Sequence, residues 1–201
     1  MTQSNENPKE ILNNIIEQLK IGVTNRSHGF HMPTFSCLDN NKEITSRIVV
    51  LRSFDPKKYT LSFHTDNRSK KIRGIQNQSC TNFVFYDFKI KTQLRIKTNS
   101  LIHYNDSIAS AAWNKTKLSS RKCYLAQKSP SSDTDFPEDA IPAHLKGIEP
   151  NRQESNIGFE NFAVINNEIQ SIDWLYLSSS GHRRLRIDIK EKKIEYQWLI
   201  P

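Results

Sequence analysis

Arg47-Ile48-Val49-Val50-Leu51-Arg52 is followed, after the turn residues Asp55-Pro56-Lys57-Lys58, by Phe63-His64-Thr65-Asp66-Asn67-Arg68-Ser69-Lys70-Lys71. The first run reads as an apolar strand entered from an arginine. The second reads as a strand ending in hydroxyl and amide side chains, with a helix opening at Ser69. A helix start presents free backbone amides and the positive end of the helix dipole, and Lys70 and Lys71 add two ammonium groups there. A phosphate dianion suits that combination. A capped surface helix with solvated lysines has the same local pattern, so the order of further motifs has to separate the two.

Working outward, strand character recurs at Arg47 to Phe54, Tyr59 to His64, Asn82 to Phe88, Thr92 to Lys97, Phe162 to Ile165, Ile169 to Leu177, Arg184 to Ile189 and Ile194 to Leu199. Tyr59, Leu61 and Phe63 alternate with Thr60, Ser62 and His64, so one face is buried and the other meets water or a partner. Asp55 to Lys58 and Lys190 to Lys193 read as hairpin turns, which imply antiparallel pairing. Helices are few: Pro8 to about Leu19 behind Asn7 as cap, Ser69 to Gln76, Asp106 to Lys115, and Ser119 to Ala126. The expectation is a mainly β fold with peripheral helices (α+β), an antiparallel barrel. It is a single domain over 1–201, with an N-terminal helix within 1–22 and a long, proline-broken surface excursion over 129–158.

The chain has 201 residues, 36% hydrophobic and 25% charged, which suits one domain with a real core. Lys and Arg number 29 against 21 acids, and the net charge of +8 favours an anionic partner: nucleic acid, acidic lipid or a phosphorylated small molecule. The densest basic knots, Arg68 to Arg73 and Arg183 to Arg186, sit beside patterned segments and not in a tail, which favours a local phosphate site. No run approaches the roughly 20 apolar residues of a membrane span, and the polar start carries no signal-peptide pattern, so a cytoplasmic protein with no membrane partner is expected. Cys37, Cys80 and Cys123 lack any CxxC pair.

Taken in order, these motifs resemble the pyridoxamine 5'-phosphate oxidase family of FMN-binding split barrels, over most of Ser46 to Pro201. The resemblance implies that Arg47, Ile48, Val49 and Val50 line the flavin. His64 stands where the family has a tyrosine, with Thr65 beside it, and Ser69, Lys70 and Lys71 hold the FMN phosphate. Gln93 is similar to the family's glutamine at the isoalloxazine edge. Trp174, His182 and Arg184 are similar to its Trp and its His-any-Arg ending, and Trp198 to Pro201 to its terminal tetrapeptide. The resemblance further implies a homodimer with each flavin in a groove between subunits. FMN needs just such apolar walls, ring-edge donors and phosphate-binding cations.

The substrate half matches less closely. Arg52, Trp113, Lys117 and His182 fall near the positions that grip a small anionic substrate, Ser120 lies near another, and Ser180 replaces an arginine. Arg and Lys are not interchangeable at a bidentate phosphate site. The run before Phe162 also departs from the classical oxidase and looks like the divergent, oxidase-related FMN-binding branch. The expected function is therefore an FMN-binding flavoprotein, an oxidoreductase moving a hydride from a small anionic donor to FMN. The alternatives are a flavin carrier without turnover and a basic barrel binding single-stranded nucleic acid through Phe83 to Lys91. His28 and His31 lack a third ligand at metal spacing. Cys80 and Cys123 read as small core residues, and Phe83, Phe85 and Phe88 as core or interface packing.

Overall fold

A computed structural model describes residues 6–190 and 193–201. Helix α1 (Pro8–Thr24) begins where Asn7 accepts a hydrogen bond from the Lys9 amide at 3.0 Å, and it buries Leu12, Ile15 and Leu19. It runs past the expected end because Gly22 packs directly on Phe30, where a Cβ would lie 2.9 Å from the phenylalanine Cβ.

Nine antiparallel strands follow among the described residues: β1 (Thr34–Leu38), β2 (Ile44–Ile48), β3 (Ser53–Asp55), β4 (Thr60–Asp66), β5 (Cys80–Asp87), β6 (Thr92–Tyr104), β7 (Phe162–Tyr176), β8 (Arg183–Lys190) and β9 (Lys193–Leu199). The sheet order is β2-β1-β5-β6-β7-β4-β3, with β8 and then β9 continuing from the far half of β7. The fold is the expected antiparallel split barrel with peripheral helices, its sheet left unclosed.

Barrel geometry turns on the run that opened the sequence reading. Arg47 to Phe54 is not one strand: β2 stops at Ile48 and β3 starts at Ser53, at opposite ends of the sheet order. Between them the Val49 amide donates to Pro33 O at 3.0 Å, Leu51 to His31 O at 2.9 Å and Arg52 to Ser62 O at 2.8 Å. Long-range backbone partners thus carry the chain from one edge to the other and overrule a continuous β-branched run. In contrast, the two strands expected over Phe162 to Leu177 are one. The polar Asn167 between them is fully buried, donating to Leu61 O at 3.1 Å and Ile165 O at 2.9 Å while accepting from Ser100 Oγ at 2.7 Å. Strand β1 lies outside every run expected to form a strand.

Phe35, Phe63, Phe83 and Phe85 fill the barrel, the first two with ring centroids 4.8 Å apart. Phe88 is exposed. Outside β7, α3 (Ser107–Lys115) and the single turn α4 (Leu118–Arg121) cover a second cluster of Trp113, Tyr124 and Phe162. The helix expected over Ser119 to Ala126 is that turn continued as 3₁₀ helix, Lys122–Leu125. Arg121 staples this layer: its guanidinium donates to Trp113 O at 2.7 Å, Thr116 O at 3.1 Å, Ser155 Oγ at 3.2 Å and Asn156 Oδ1 at 3.2 Å, and lies 4.6 Å from the Trp113 ring centroid.

Asp55 holds the β3–β4 turn by accepting from the Lys57 and Lys58 amides. Of the second expected turn, Lys190 pairs with Lys193, and Glu191 and Lys192 lie outside the described residues. The excursion over 129–158 contains α5 (Arg152–Ile157), opened by a reciprocal Asn151–Glu154 capping box.

Helix α2 (Lys70–Asn77) lies on β1 so closely that a Cβ at Gly74 would stand 2.0 Å from Leu38 O. Because that obstacle is backbone, Gly74→Ala is expected to lift α2 from the barrel rim and lower the melting temperature by about 5–10 °C, corresponding to roughly 2–3 kcal/mol. Differential scanning fluorimetry checks this, and an unchanged melt would contradict the contact.

Candidate cofactor and substrate site

At the rim beneath α2, the alternation of β4 turns Thr65 to the same side as Phe63 and Leu61, and the register of β2 with β1 sets Arg47 opposite Phe35. Lys71 reaches back from the first turn of α2 to donate to Thr65 Oγ1 at 2.8 Å and Ser69 Oγ at 2.5 Å. Ser69 consequently makes no side-chain cap, and the first turn of α2 holds no acid. Cations at a helix N-terminus are electrostatically unfavourable unless an anion joins them. Arg47 donates to Cys37 Sγ at 3.1 Å, Thr45 O at 3.0 Å and Thr45 Oγ1 at 2.8 Å. Burial, followed by the nearby Arg47 charge, brings the Lys71 ammonium down to about 8. Asp66, the carboxylate whose charge favours the Lys71 ammonium, is held by Arg68 at 2.7 and 3.0 Å. Two cations, two hydroxyls and free amides thus converge on one spot. Lys70, expected there, points to solvent.

The other face of β4 carries Ser62 and His64 into a groove of about 700 Å³ between β3–β4–β7 and α3–α4. Arg52 and Lys117 line it, as do Ser120, Arg26, Lys58 and Lys115. His64 packs edge-on against Phe162, centroids 4.8 Å apart. Burial first and Arg52 second lower its imidazole to about 4, so it is neutral at physiological pH. Trp113 does not open to this groove. It is 3% exposed, donating from Nε1 to Asn156 Oδ1 at 3.3 Å, and its neighbour Ala112 lines the groove instead.

The remaining expected residues lie elsewhere. Thr65 pairs with Ala163, which pairs with Tyr104, eleven residues along β6 from Gln93. That separation is roughly 35 Å of strand. Gln93 and Arg184 are on the outer sheet face, both opposite Leu175, and Arg184 is held bidentately by Asp173 at 3.0 and 2.8 Å. Trp174 points to the inner side, 9% exposed and stacked parallel to Tyr176. His182 lies in the exposed β7–β8 turn, where its Nδ1 accepts from the Ser178 amide at 3.1 Å. The chain therefore assembles Arg47, Thr65, Ser69 and Lys71, and separately Arg52, His64 and Lys117. It leaves Gln93, Arg184 and His182 at the far end of the sheet. Ile48 is exposed, while Val49 is buried in the chain-crossing segment with Val50 beside it.

Residues 9–104 match the family described as pyridoxamine 5'-phosphate oxidase, FMN-binding domain. Over those residues the chain is similar to that family's FMN-binding domain. The matched stretch contains Arg47, Thr65, Ser69 and Lys71. No curated protein matches the sequence. Among solved structures, a pyridoxamine 5'-phosphate oxidase-related, FMN binding protein from Nostoc punctiforme is similar at a TM-score of 0.74 and 18% identity, over 98% of this chain and 100% of that one. PhzG from Burkholderia lata, solved with tetrahydrophenazine-1-carboxylic acid, is similar at 0.71 and 17%, over 99% and 95%. A protein related to general stress protein 26 from Clostridium acetobutylicum reaches 0.53 and 7%, over 95% and 96%. The split barrel therefore extends beyond the matched FMN-binding domain to nearly the whole chain.

FMN fits the cradle on its donor set: a dianionic phosphate supplies the charge that Arg47, Lys71 and the acid-free start of α2 lack, and Thr65 and Ser69 offer hydroxyl hydrogen bonds. Among the described residues no helix is long and apolar enough to cross a membrane, and no metal-ligating cluster occurs. His28 hydrogen-bonds Gln18 at 2.9 Å, and His31 the Gly22 carbonyl at 2.7 Å. Cys80 and Cys123, expected in the core, are both exposed. The buried thiol is Cys37, under Arg47. Cys37 carries no signal of its own in the sequence, because its burial depends on the pairing of β1 with β2 and β5.

Proposed function

We propose that this protein is an FMN-dependent oxidoreductase acting as a homodimer on a small anionic donor held in the groove beside the cradle. The observation that carries the reading is the gathering of Arg47, Lys71, Thr65 and Ser69 at the acid-free start of α2, where burial first and the Arg47 charge second lower the Lys71 proton affinity and favour a phosphate. In this reading Arg47 and Lys71 neutralise the FMN phosphate, while Thr65 and Ser69 fix its orientation. FMN supplies hydride acceptance at the flavin ring and passage of the electrons to oxygen or another acceptor. Arg52 and Lys117 hold the donor's anionic group, and α3 and α4 wall the groove against water. A carboxylate-bearing ring, such as the ligand of PhzG, belongs to the donor class those cations would bind.

A second copy supports the same scheme. The outer sheet face exposes Ile44, Ile48 and Tyr86, and Tyr86 lies beside Gln93 in the strand register. Docking such faces would let the partner's end of the sheet bring Gln93 and Arg184 to the flavin ring, which one subunit leaves apart from the cradle. Mass spectrometry of the ligand released on denaturation, followed by anaerobic reduction with a panel of anionic donors, tests the proposal. Released FMN that bleaches with a donor and recovers in air supports it. A colourless protein with no bound flavin overturns it.

A further inference from the structure

Resting on the reading that the groove takes an anionic substrate, we propose that Arg52 and His64 form one proton-linked anion reader: the anion docks on Arg52, and His64 takes up a proton to donate a second hydrogen bond to it. Both side chains line the same groove, and the Arg52 amide is anchored to Ser62 O at 2.8 Å, in the register of the strand that presents His64.

The surroundings of His64 favour such coupling. On its own strand, Ser62 donates to Asn166 Oδ1 at 2.7 Å and Asp66 is engaged with Arg68. Strand β7 brings Phe162, Val164 and Asn166 opposite Asp66, His64 and Ser62 and, further along the same face, the exposed Glu168 opposite Thr60. From α3 and the start of α4 come Lys115 and Lys117, from the 3₁₀ turn Cys123 and Tyr124 near Arg52 and Asp66, and from the far end of the groove Arg26, Lys58 and Asp55. Asp55 is occupied by the Lys57 and Lys58 amides. The groove is therefore dominated by cations, and Arg52 adds to burial, the larger cause, in opposing protonation of His64, whose imidazole sits at about 4.

An anion on Arg52 cancels that repulsion and gives a protonated imidazole an acceptor. Reciprocity then requires the anion to bind more tightly as pH falls. Substrates with an oxyanion group are selected over neutral analogues of the same shape, because only they make the second hydrogen bond.

Sulfate is the suitable probe, being a dianion throughout pH 5–8, so any pH dependence belongs to the protein. In the ¹⁵N-histidine-labelled protein as purified, with flavin absorbance followed in parallel, saturating sulfate is expected to raise the His64 titration midpoint by a unit or more. Sulfate affinity is expected to rise about twofold from pH 8 to pH 5 for a one-unit shift and about tenfold for a two-unit shift. His64→Gln should bind sulfate with flat pH dependence, and Arg52→Gln should lose the sulfate response. Sulfate binding that leaves the His64 midpoint unmoved, or a His64→Gln protein that keeps the pH dependence, overturns the coupling while leaving the anionic groove standing. Sulfate that perturbs no groove amide, including those of Lys117 and Ser120, overturns both.

Discussion

Lys71→Met is expected to make the flavin-free protein more stable and at the same time to cost it most of its FMN affinity. Lys71 holds its proton less tightly when folded, at about 8 against the ordinary 10.5. A buried ammonium facing Arg47 thus takes stability away at every pH below about 8, and the penalty fades as pH rises from about 8 toward 10.5. The shift is worth at most about 3 kcal/mol, less what Thr65 and Ser69 lose when their lysine partner goes. Stability of the free wild-type protein should therefore climb across pH 8–10, and that of Lys71→Met should not. For FMN the sign reverses. Losing one charge-assisted phosphate contact costs about 1.5–3 kcal/mol, or roughly 10–100-fold in affinity. Wild-type affinity should also fall above pH 8, where the free lysine is neutral. Thermal melts of the flavin-free protein and flavin fluorescence titrations between pH 7 and 10 read both effects. A Lys71→Met protein that is less stable and binds FMN as before would remove Lys71 from the phosphate site.

That opposition of stability and binding explains why the cradle could be read from sequence. Ser69, Lys70 and Lys71 violate the preference for acids in the first helical turn, and such local conflicts collect at functional sites. Neighbours two residues apart and a strand ending at Thr65 suffice to place them, since strand alternation and the helix start are local. The same locality explains the failures. Ile48 to Leu51 has strand propensity throughout, and only the carbonyls of Pro33 and His31, distant in sequence, bend it from one sheet edge to the other. Asn166 and Asn167 look like a turn, because nothing local announces that Ser100 and the Leu61 carbonyl will satisfy a buried amide. Trp113 resembled a substrate contact by spacing, and the covering of β7 by α3 buries it. The division of the site residues between two ends of the sheet depends on the β4–β7–β6 register, which a motif order does not contain.

If the two ends meet across a subunit boundary, Ile44→Glu combined with Tyr86→Glu should dissociate the dimer and release the flavin together. Both side chains lie on the outer face and are largely free of their own subunit, 78% and 48% exposed, so replacing them removes little from the folded chain. In a dimer the same carboxylates would be buried without assigned partners, at several kcal/mol each. Light scattering should then report about 23.4 kDa in place of twice that value. Flavin loss should accompany it even though Arg47, Thr65, Ser69 and Lys71 are untouched, because the ring-end donors Gln93 and Arg184 would come from the partner. FMN affinity is expected to fall by about 100-fold or more, the loss of two or so hydrogen bonds of about 1–1.5 kcal/mol each together with the water exclusion that strengthens the rest. The control is Ile44→Thr with Tyr86→Phe, which keeps strand propensity and adds no charge, and should leave mass and flavin unchanged. A charged double variant that becomes monomeric yet keeps FMN would place the whole flavin site within one chain. One that stays dimeric would put the interface on another face.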